Sequence, residues 1–355
     1  MKEQTVMVTG GLGYIGSHTV VELQQKGSTV VIVDNLSNSE AFILDRIEAI
    51  TSVRPVFYRA DAGDAATLRR IFQRHRPEVV IHFAAHKSVG ESVAQPLNYF
   101  RNNLGSLLGV LEAMEAGGTS KLIFSSSATV YGQPGALPLT ETSPFRPALS
   151  AYGSTKQMGE EVLEKVCAAG GIRSISLRYF NPVGAHPSAL IGELPRGIPN
   201  NLFPYVTQTG IGKLPQLTVH GADYDTADGS CLRDYIHVVD LARAHVRACE
   251  RLLEGSGPAG NEVFNIGTGR GTTVLEVIRA FEQCAGRPLN YRIGPRRPGD
   301  AAAVYADTQR ARQVLGWQAG HQLPDMIRSA WKWEQALAAK QPEAEGAAKE
   351  TGLFS

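Results

Sequence analysis

The stretch Thr5-Val6-Met7-Val8-Thr9-Gly10-Gly11-Leu12-Gly13-Tyr14-Ile15-Gly16-Ser17-His18 decides the fold. Its first five residues read as a short buried strand, and a helix-forming run, expected over 17–26, follows the glycines. Gly10, Gly13 and Gly16 recur every third residue, and Gly11, Gly13 and Gly16 also satisfy G-x-G-x-x-G. Glycine suits such a turn because the strand must reverse tightly and the backbone must approach an anion. The helix that follows offers unpaired N–H groups to that anion. A lone glycine pattern is weak, but one lying between a strand and a helix is the context that marks a dinucleotide fingerprint. Asp34 closes the second expected strand, 29–33, where a carboxylate can accept hydrogen bonds from an adenosine ribose. Its neighbours are Asn35, Leu36 and Ser37 and include no arginine, which favours NAD over its 2′-phosphorylated form. The plainer alternative is that Asp34 merely ends a turn.

Outward from this stretch, apolar runs at 79–83 and 121–125 alternate with helical patterns near 65–75 and 104–115. Strands alternating with helices imply right-handed βαβ crossovers and a doubly wound parallel α/β sheet of Rossmann-like type, with ligands beyond the carboxyl ends of its strands. From about Asn181 the texture changes. Residues 181–221 are rich in proline and glycine, a texture of binding loops, and helices recur near 239–253, 274–285 and 324–337. The expected organisation is a cofactor domain over 1–180, to which later segments return, a smaller mixed α/β substrate domain over 181–340, and a flexible tail over 341–355.

The 355 residues carry 35 basic and 34 acidic side chains and a formal charge of +1. That balance lacks the basic footprint of a nucleic-acid binder, and no apolar run is long enough to span a membrane. The opening Met1-Lys2-Glu3-Gln4 leads into the first strand without the features of a signal peptide. Cys167, Cys231, Cys249 and Cys284 are scattered, with no Cys-x-x-Cys pair, so neither a zinc site nor a disulfide framework is expected. The expectation is a metal-free cytoplasmic protein.

Tyr152 and Lys156 stand four apart in Ser150-Ala151-Tyr152-Gly153-Ser154-Thr155-Lys156, a spacing that puts both on one helix face. A free phenol has a pKa of about 10 and is a poor base at neutral pH. A neighbouring ammonium, together with the positive nicotinamide of NAD, is expected to lower it. Ser125-Ser126-Ser127 ends a predicted strand about 25 residues earlier, and a hydroxyl there can share a proton path to a substrate alcohol. The plainer alternatives are an exposed helix face for the pair and a turn or cap for the serines.

With the glycine fingerprint, the serine cluster and Tyr-x-x-x-Lys in place, the chain resembles the extended branch of the short-chain dehydrogenase/reductase family. Longer strings narrow the resemblance: Gly13–His18, Lys87–Ser92, Ser125–Gly132, Arg178–His186, Gly197–Leu202 and Arg233–His237. Together they are similar to the members that epimerise UDP-hexoses at C4, over residues 5 to about 335. The resemblance implies a bound NAD and a UDP-hexose substrate. Tyr152 would take the proton of the C4 hydroxyl with help from Ser127, and Lys156 would hold the cofactor ribose. The keto sugar would then turn over and be reduced on its other face. It also implies a homodimer, and apolar positions in 104–115 and 162–168 permit one.

For the cofactor, the same resemblance implies contacts from Gly10, Gly13, Tyr14, Ile15 and Gly16, then from Asp34, Asn35 and Ser39 on the adenosine side. Asp61 and Ala62 would flank the adenine. Phe83, Ala84, Ala85, Lys87, Asn102, Ser125 and Tyr179 would follow toward the nicotinamide. For the substrate it implies Asn181, Asn201 and Leu202 around the sugar and diphosphate. Arg233 and Arg297 would hold the diphosphate, as planar guanidinium forks suit phosphate oxygens. Asp300 would lie near the uridine ribose and His220 near the uracil. Val304 stands where relatives confined to unacetylated sugars often carry tyrosine, which extends the expected substrates to UDP-GlcNAc and UDP-GalNAc. A shift by one residue would let Tyr305 restore that barrier. Rival readings are a sugar-nucleotide 4,6-dehydratase, a dehydrogenase with exchangeable NAD, and an inactive NAD-binding sensor. A dehydratase needs an acid/base pair after the catalytic hydroxyl residue, where this chain has Ala128-Thr129.

Overall fold

The computed structural model describes residues 4–257, 259–297 and 299–350, with side chains as far as residue 339. The first strand and helix follow the reading of the glycine stretch. Strand β1 (Thr5–Thr9) turns at Gly10, whose φ of +71° is left-handed and suits glycine. Helix α1 (Tyr14–Gln25) then begins three residues earlier than its composition suggests, because Gly13 already sits extended at the cap. The units β2 (Thr29–Asp34), α2 (Ile43–Thr51), β3 (Val56–Arg59), α3 (Ala65–His75), β4 (Val79–His82), α4 (Val89–Ala94), α5 (Pro96–Gly117) and β5 (Lys121–Ser127) follow in order. A 3-10 turn over Ala128–Tyr131 leads on to α6 (Ala151–Ala168) and β6 (Arg173–Tyr179).

These strands form a parallel sheet ordered β3-β2-β1-β4-β5-β6, with the order reversing between β1 and β4. A crevice opens beyond the strand ends at such a reversal. The sheet's inner strands are near-continuous apolar runs because both faces are covered. One face packs on α1 and α2 through Val6, Val8, Ile32 and Ile81, and the other on α3, α5 and α6 through Met7, Val31, Val80 and Leu122.

The remainder weaves between this sheet and a second core. It comprises β7 (Asn181–Val183), α7 (Leu202–Ile211), β8 (Leu217–His220), β9 (Leu232–Arg233), β10 (Tyr235–His237) and α8 (Val238–Leu253). Then come β11 (Asn261–Ile266), β12 (Thr272–Thr273), α9 (Val274–Ala285), β13 (Tyr291–Gly294), β14 (Ala303–Val304) and α10 (Leu323–Glu350). Strand β11 returns to the large sheet and pairs in parallel with β6 as its seventh strand. Helix α8 returns with it, its buried Leu241, Ala244 and Cys249 sharing the core of α1. The second core gathers Phe203, Val206, Tyr235, Phe281, Met326 and Trp331 from α7, β10, α9 and α10. Of the tail expected over 341–355, the first ten residues continue the backbone of α10 and the last five lie outside the described residues. Among the described residues no helix is long and apolar enough to cross a membrane, and no cluster of three or more potential metal ligands occurs.

Candidate active site

The glycine turn forms a cradle that side chains would fill. A Cβ on Gly16 would stand 2.2 Å from the carbonyl oxygen of Gly10, and one on Gly10 would stand 2.9 Å from the amide nitrogen of Ala84. Helix α1 has no side-chain cap and no acid in its first turn, so its amino end is open to an anion. These features fit a dinucleotide pyrophosphate. Beside them the buried Asp34 accepts from Leu12 N at 3.0 Å, Leu36 N at 2.9 Å and Ser39 Oγ at 2.8 Å. Asn35 donates to Asp61 at 2.9 Å, and Asp61 also accepts from Gly63 N. Asp34, Asn35, Ser39 and Asp61 thus form one rim around the ends of β2 and β3, with Ala62 buried behind it.

Toward the middle of the sheet, Phe83, Ala84 and Ala85 leave the end of β4. Asn102 donates to Asn103, and Asn103 in turn grips both backbone groups of His86 and donates to Thr155 at 3.0 Å. Tyr14 donates to Gly184 O at 2.6 Å, with Lys87 5.7 Å above its ring. Ile15 faces the core.

Strand β5 ends in the three serines. Ser127 caps the 3-10 turn by accepting from Thr129 N and lies near enough to the Tyr152 phenol to act on it. Ser150 caps α6 by accepting from Gly153 N at 3.1 Å, which starts the helix so that Tyr152 and Lys156 share a face. The helix lies close on the sheet because residue 159 is glycine: a Cβ there would stand 2.6 Å from the Phe124 ring. Lys156 donates from Nζ to Ser125 O at 2.6 Å and sits 4.9 Å from the Phe124 ring. Burial lowers its pKa to about 7, against an upward pull from the Glu160 carboxylate. Burial also pushes the Tyr152 phenol up, with the Ser127 hydrogen bond pulling the other way. The Lys156 ammonium is turned to the Ser125 carbonyl, and the downward pull on the phenol comes from Ser127. Tyr179 donates to His245 Nε2 at 2.5 Å, since His245 Nδ1 is committed to Leu241 O.

Below the serines is a pair that sequence reasoning missed. Glu160 and Arg178 form a buried salt bridge of 2.6 Å, and Glu160 also accepts from Ser126 Oγ. A carboxylate one turn after Lys156 was the available signal. Also missed was Glu193, which accepts from Lys87 at 3.0 Å and from Asn201 at 2.7 Å and so links a cofactor-side candidate to a substrate-side one. Lys87 lies 106 residues away, so no local pattern marks the link.

The remaining candidates meet across short strands. Strand β14 pairs in parallel with β9, with Val304 level with Arg233. Arg233 donates to Ala301 O at 2.9 Å and approaches Asp300 at 3.4 Å, while Arg297 Nε lies 3.8 Å from the other Asp300 oxygen. One carboxylate thus holds two guanidinium groups together. Asp234, next to Arg233, anchors this assembly: its buried carboxylate accepts from Thr268 N and Oγ1, Gly269 N and Ala306 N. His220 ends β8 and donates from Nδ1 to Pro295 O at 3.3 Å, two residues before Arg297. Asn181 is an exposed start to β7, and Asn201 caps α7, whose Leu202 packs on the second core. Val304 packs with Val130, Phe180 and Ala128 beside the serine turn. Tyr305 alternates to the other side, lining a separate cavity of about 440 Å³ with Pro138, Arg270 and His321.

A Rossmann-like sheet with a glycine cradle at its switch point and a Ser–Tyr–Lys group over the neighbouring strand defines a nucleotide-dependent enzyme of the epimerase and dehydratase type. The chain belongs to the NAD dependent epimerase/dehydratase family, which residues 6–267 match. It is similar to UDP-glucose 4-epimerase of Bacillus subtilis (strain 168), with 50% identity over 93% of this chain and 97% of that one. It is 49% identical to the crystal structure of UDP-glucose-4-epimerase from Stenotrophomonas maltophila with bound NAD and formylated UDP-arabinopyranose, at a TM-score of 0.92 over 95% of this chain and 99% of that one. The Bifidobacterium longum UDP-glucose 4-epimerase in complex with NAD+ and UDP is 48% identical, at a TM-score of 0.89 over 94% and 98% of the two chains.

Proposed function

We propose that the chain interconverts UDP-galactose and UDP-glucose by transient oxidation at C4, with NAD held permanently. The observation that carries this reading is the convergence on the end of β5, where Ser127 acts on the Tyr152 phenol and Lys156, one helical turn on along α6, donates to the Ser125 carbonyl of the same strand. NAD, when bound, supplies a reversible two-electron acceptor for C4. Gly10, Gly13 and Gly16 would hold its pyrophosphate with the amino end of α1. Asp34, Ser39 and Asn35 would hold the adenosine ribose, and Lys156, whose ammonium sits on the Ser125 carbonyl near the end of β5, the nicotinamide ribose. Tyr152 takes the proton from the C4 oxygen and gives it back after the sugar has turned, while Ser127 relays and aligns it. Arg233 and Arg297 are supported as the diphosphate grip by their convergence on Asp300.

The division of labour follows: residues 1–180, with β11 and α8, would carry the cofactor and 181–340 the UDP-sugar. A homodimer is supported by exposed Leu97, Leu108 and Met158 on α5 and α6, and a cytoplasmic location by the compartment of NAD and nucleotide sugars. A broader substrate range, including the N-acetylated pair, is supported by Val304 packing with Ala128 and Phe180 beside the serine turn while Tyr305 lines another cavity.

The test is to incubate the purified protein, without added cofactor, with UDP-galactose deuterated at C4. UDP-glucose that retains deuterium at C4 is expected. A requirement for added NAD with build-up of NADH would favour a dehydrogenase, and loss of the label to solvent would refute transient oxidation.

A further inference from the structure

Residues 35–40 follow β2 and carry Asn35 and Ser39, two of the three groups assigned above to the adenosine ribose. This loop is awkward to hold. Leu36 has a φ of +62°, a left-handed backbone that a branched side chain rarely adopts. Local bonds support it in part, from Leu36 N to Asp34 and from Ser37 N to Asn35. The remaining support comes from the far side of the sequence. The guanidinium of Arg196 donates to the carbonyl oxygens of Ser37, of Leu36 at 3.3 Å and of Ser39 at 3.2 Å, and to the carboxylate of Glu40 at 3.1 Å. One side chain thus gathers four acceptors from five consecutive residues about 160 positions away. Only a planar fork with five donors can do this, and a lysine could satisfy one or two of them.

The segment bearing Arg196 is fixed at a second place. Three residues earlier Glu193 holds Lys87 and Asn201, and Trp333 Nε1 donates to its backbone oxygen at 2.9 Å. The stretch from Glu193 to Asn201 therefore runs from the nicotinamide-side lysine to the adenosine-side loop, touching both ends of the dinucleotide cradle. It finishes at Asn201, a residue placed toward the substrate. None of these long-range bonds shapes the reacting atoms directly.

We propose that Arg196 is a positioning residue that latches the adenosine-side loop and so sets how long NAD stays bound. The inference rests on the bound-cofactor reading of the preceding subsection. It adds that retention of the cofactor is governed by a residue of the substrate-binding half. With the latch gone, the 35–40 loop relaxes from its left-handed turn, Ser39 and Asp34 lose their fixed placement, and the dinucleotide escapes through the freed side.

The experiment compares the wild type with Arg196→Ala and Arg196→Lys as full-length proteins. Bound NAD is counted after gel filtration, and its dissociation is timed by exchange against labelled NAD. The expected result is a dissociation rate at least tenfold faster for Arg196→Ala and intermediate for Arg196→Lys, with lost turnover regained on adding NAD. Thermal unfolding of the NAD-stripped proteins separates retention from general stability, because the loop bonds are exposed and their loss should move it little. An Arg196→Ala dissociation rate within threefold of wild type overturns the proposal. So does lost turnover that added NAD leaves unrepaired, since the residue would then act on the reacting geometry. A wild type that elutes without NAD refutes the bound-cofactor reading itself, whatever the variants do.

Discussion

Lys156 donates to the carbonyl oxygen of Ser125, 2.6 Å away, rather than to the Tyr152 hydroxyl. The ammonium is thereby stored at the strand end in a site that disfavours its charge. An unfolded lysine titrates near 10.4 and this one at about 7, so between those values the unfolded chain holds more protons. Its cost to the fold therefore grows as pH falls from about 10.4 to about 7 and is constant below. Lys156→Met should leave the NAD-stripped protein more stable at pH 7 than wild type, with the advantage gone by pH 10, while epimerisation falls about a hundredfold or more. Urea midpoints at the two pH values and the turnover of UDP-galactose check both halves.

Tyr152→Phe removes the proton acceptor and little else, since its ring stays beside Lys156. Turnover should fall by about 10²–10⁴-fold, while NAD content after gel filtration stays at the wild-type level. A variant that still epimerises at a tenth of the wild-type rate removes Tyr152 from the proton path.

Arg178→Met strands the Glu160 carboxylate in the core under β5. Breaking a buried pair from one side costs about 3–5 kcal/mol, which denaturant titration will show directly. Glu160→Gln acts differently on the site: it takes away the carboxylate that raises Lys156, so the lysine titrates below its present value of about 7.

His18, His82 and His237 titrate at about 3 and His245 at about 4, all lowered chiefly by burial. They are neutral in the fold and become charged near pH 6.5 once unfolded. Below pH 6.5 the unfolded state therefore binds more protons, and stability falls with falling pH by up to about 1.4 kcal/mol per unit for each histidine until the folded values are reached. The urea midpoint should drop steeply between pH 6.5 and 5, and His82→Asn should make that drop shallower.

Val304→Tyr would fill the wall beside Ala128 and Phe180. Activity on UDP-GlcNAc should fall about a hundredfold with that on UDP-glucose largely kept. Parallel loss on both sugars would show that Val304 bears on the fold of the site and not on its selectivity.

The glycine turn, the parallel order and the Ser–Tyr–Lys group were legible because each is local: a period, a strand end, a spacing of four. Asp34 was legible as a candidate, but its bonds to Leu12 and Ser39 were not. Glu193, Asp234 and Arg196 left no local mark. Apart from Asn201, eight residues from Glu193, their partners lie 34 to 160 residues away, and only the close approach of distant segments makes them matter. The contact of Lys156 with the Ser125 carbonyl was illegible for the same reason. Spacing places a lysine on the right face, whereas the hydrogen bond that turns it away belongs to another strand.

Because β11 supplies the last strand of the large sheet, a ribosome must pass residue 266 before that sheet is finished. Until then β6 offers a raw row of amide and carbonyl groups from Ser174 to Tyr179, ready to zip onto any extended polypeptide nearby. Fragments ending near residue 180 should for this reason be clients of chaperones or seeds of aggregates, however complete their glycine cradle.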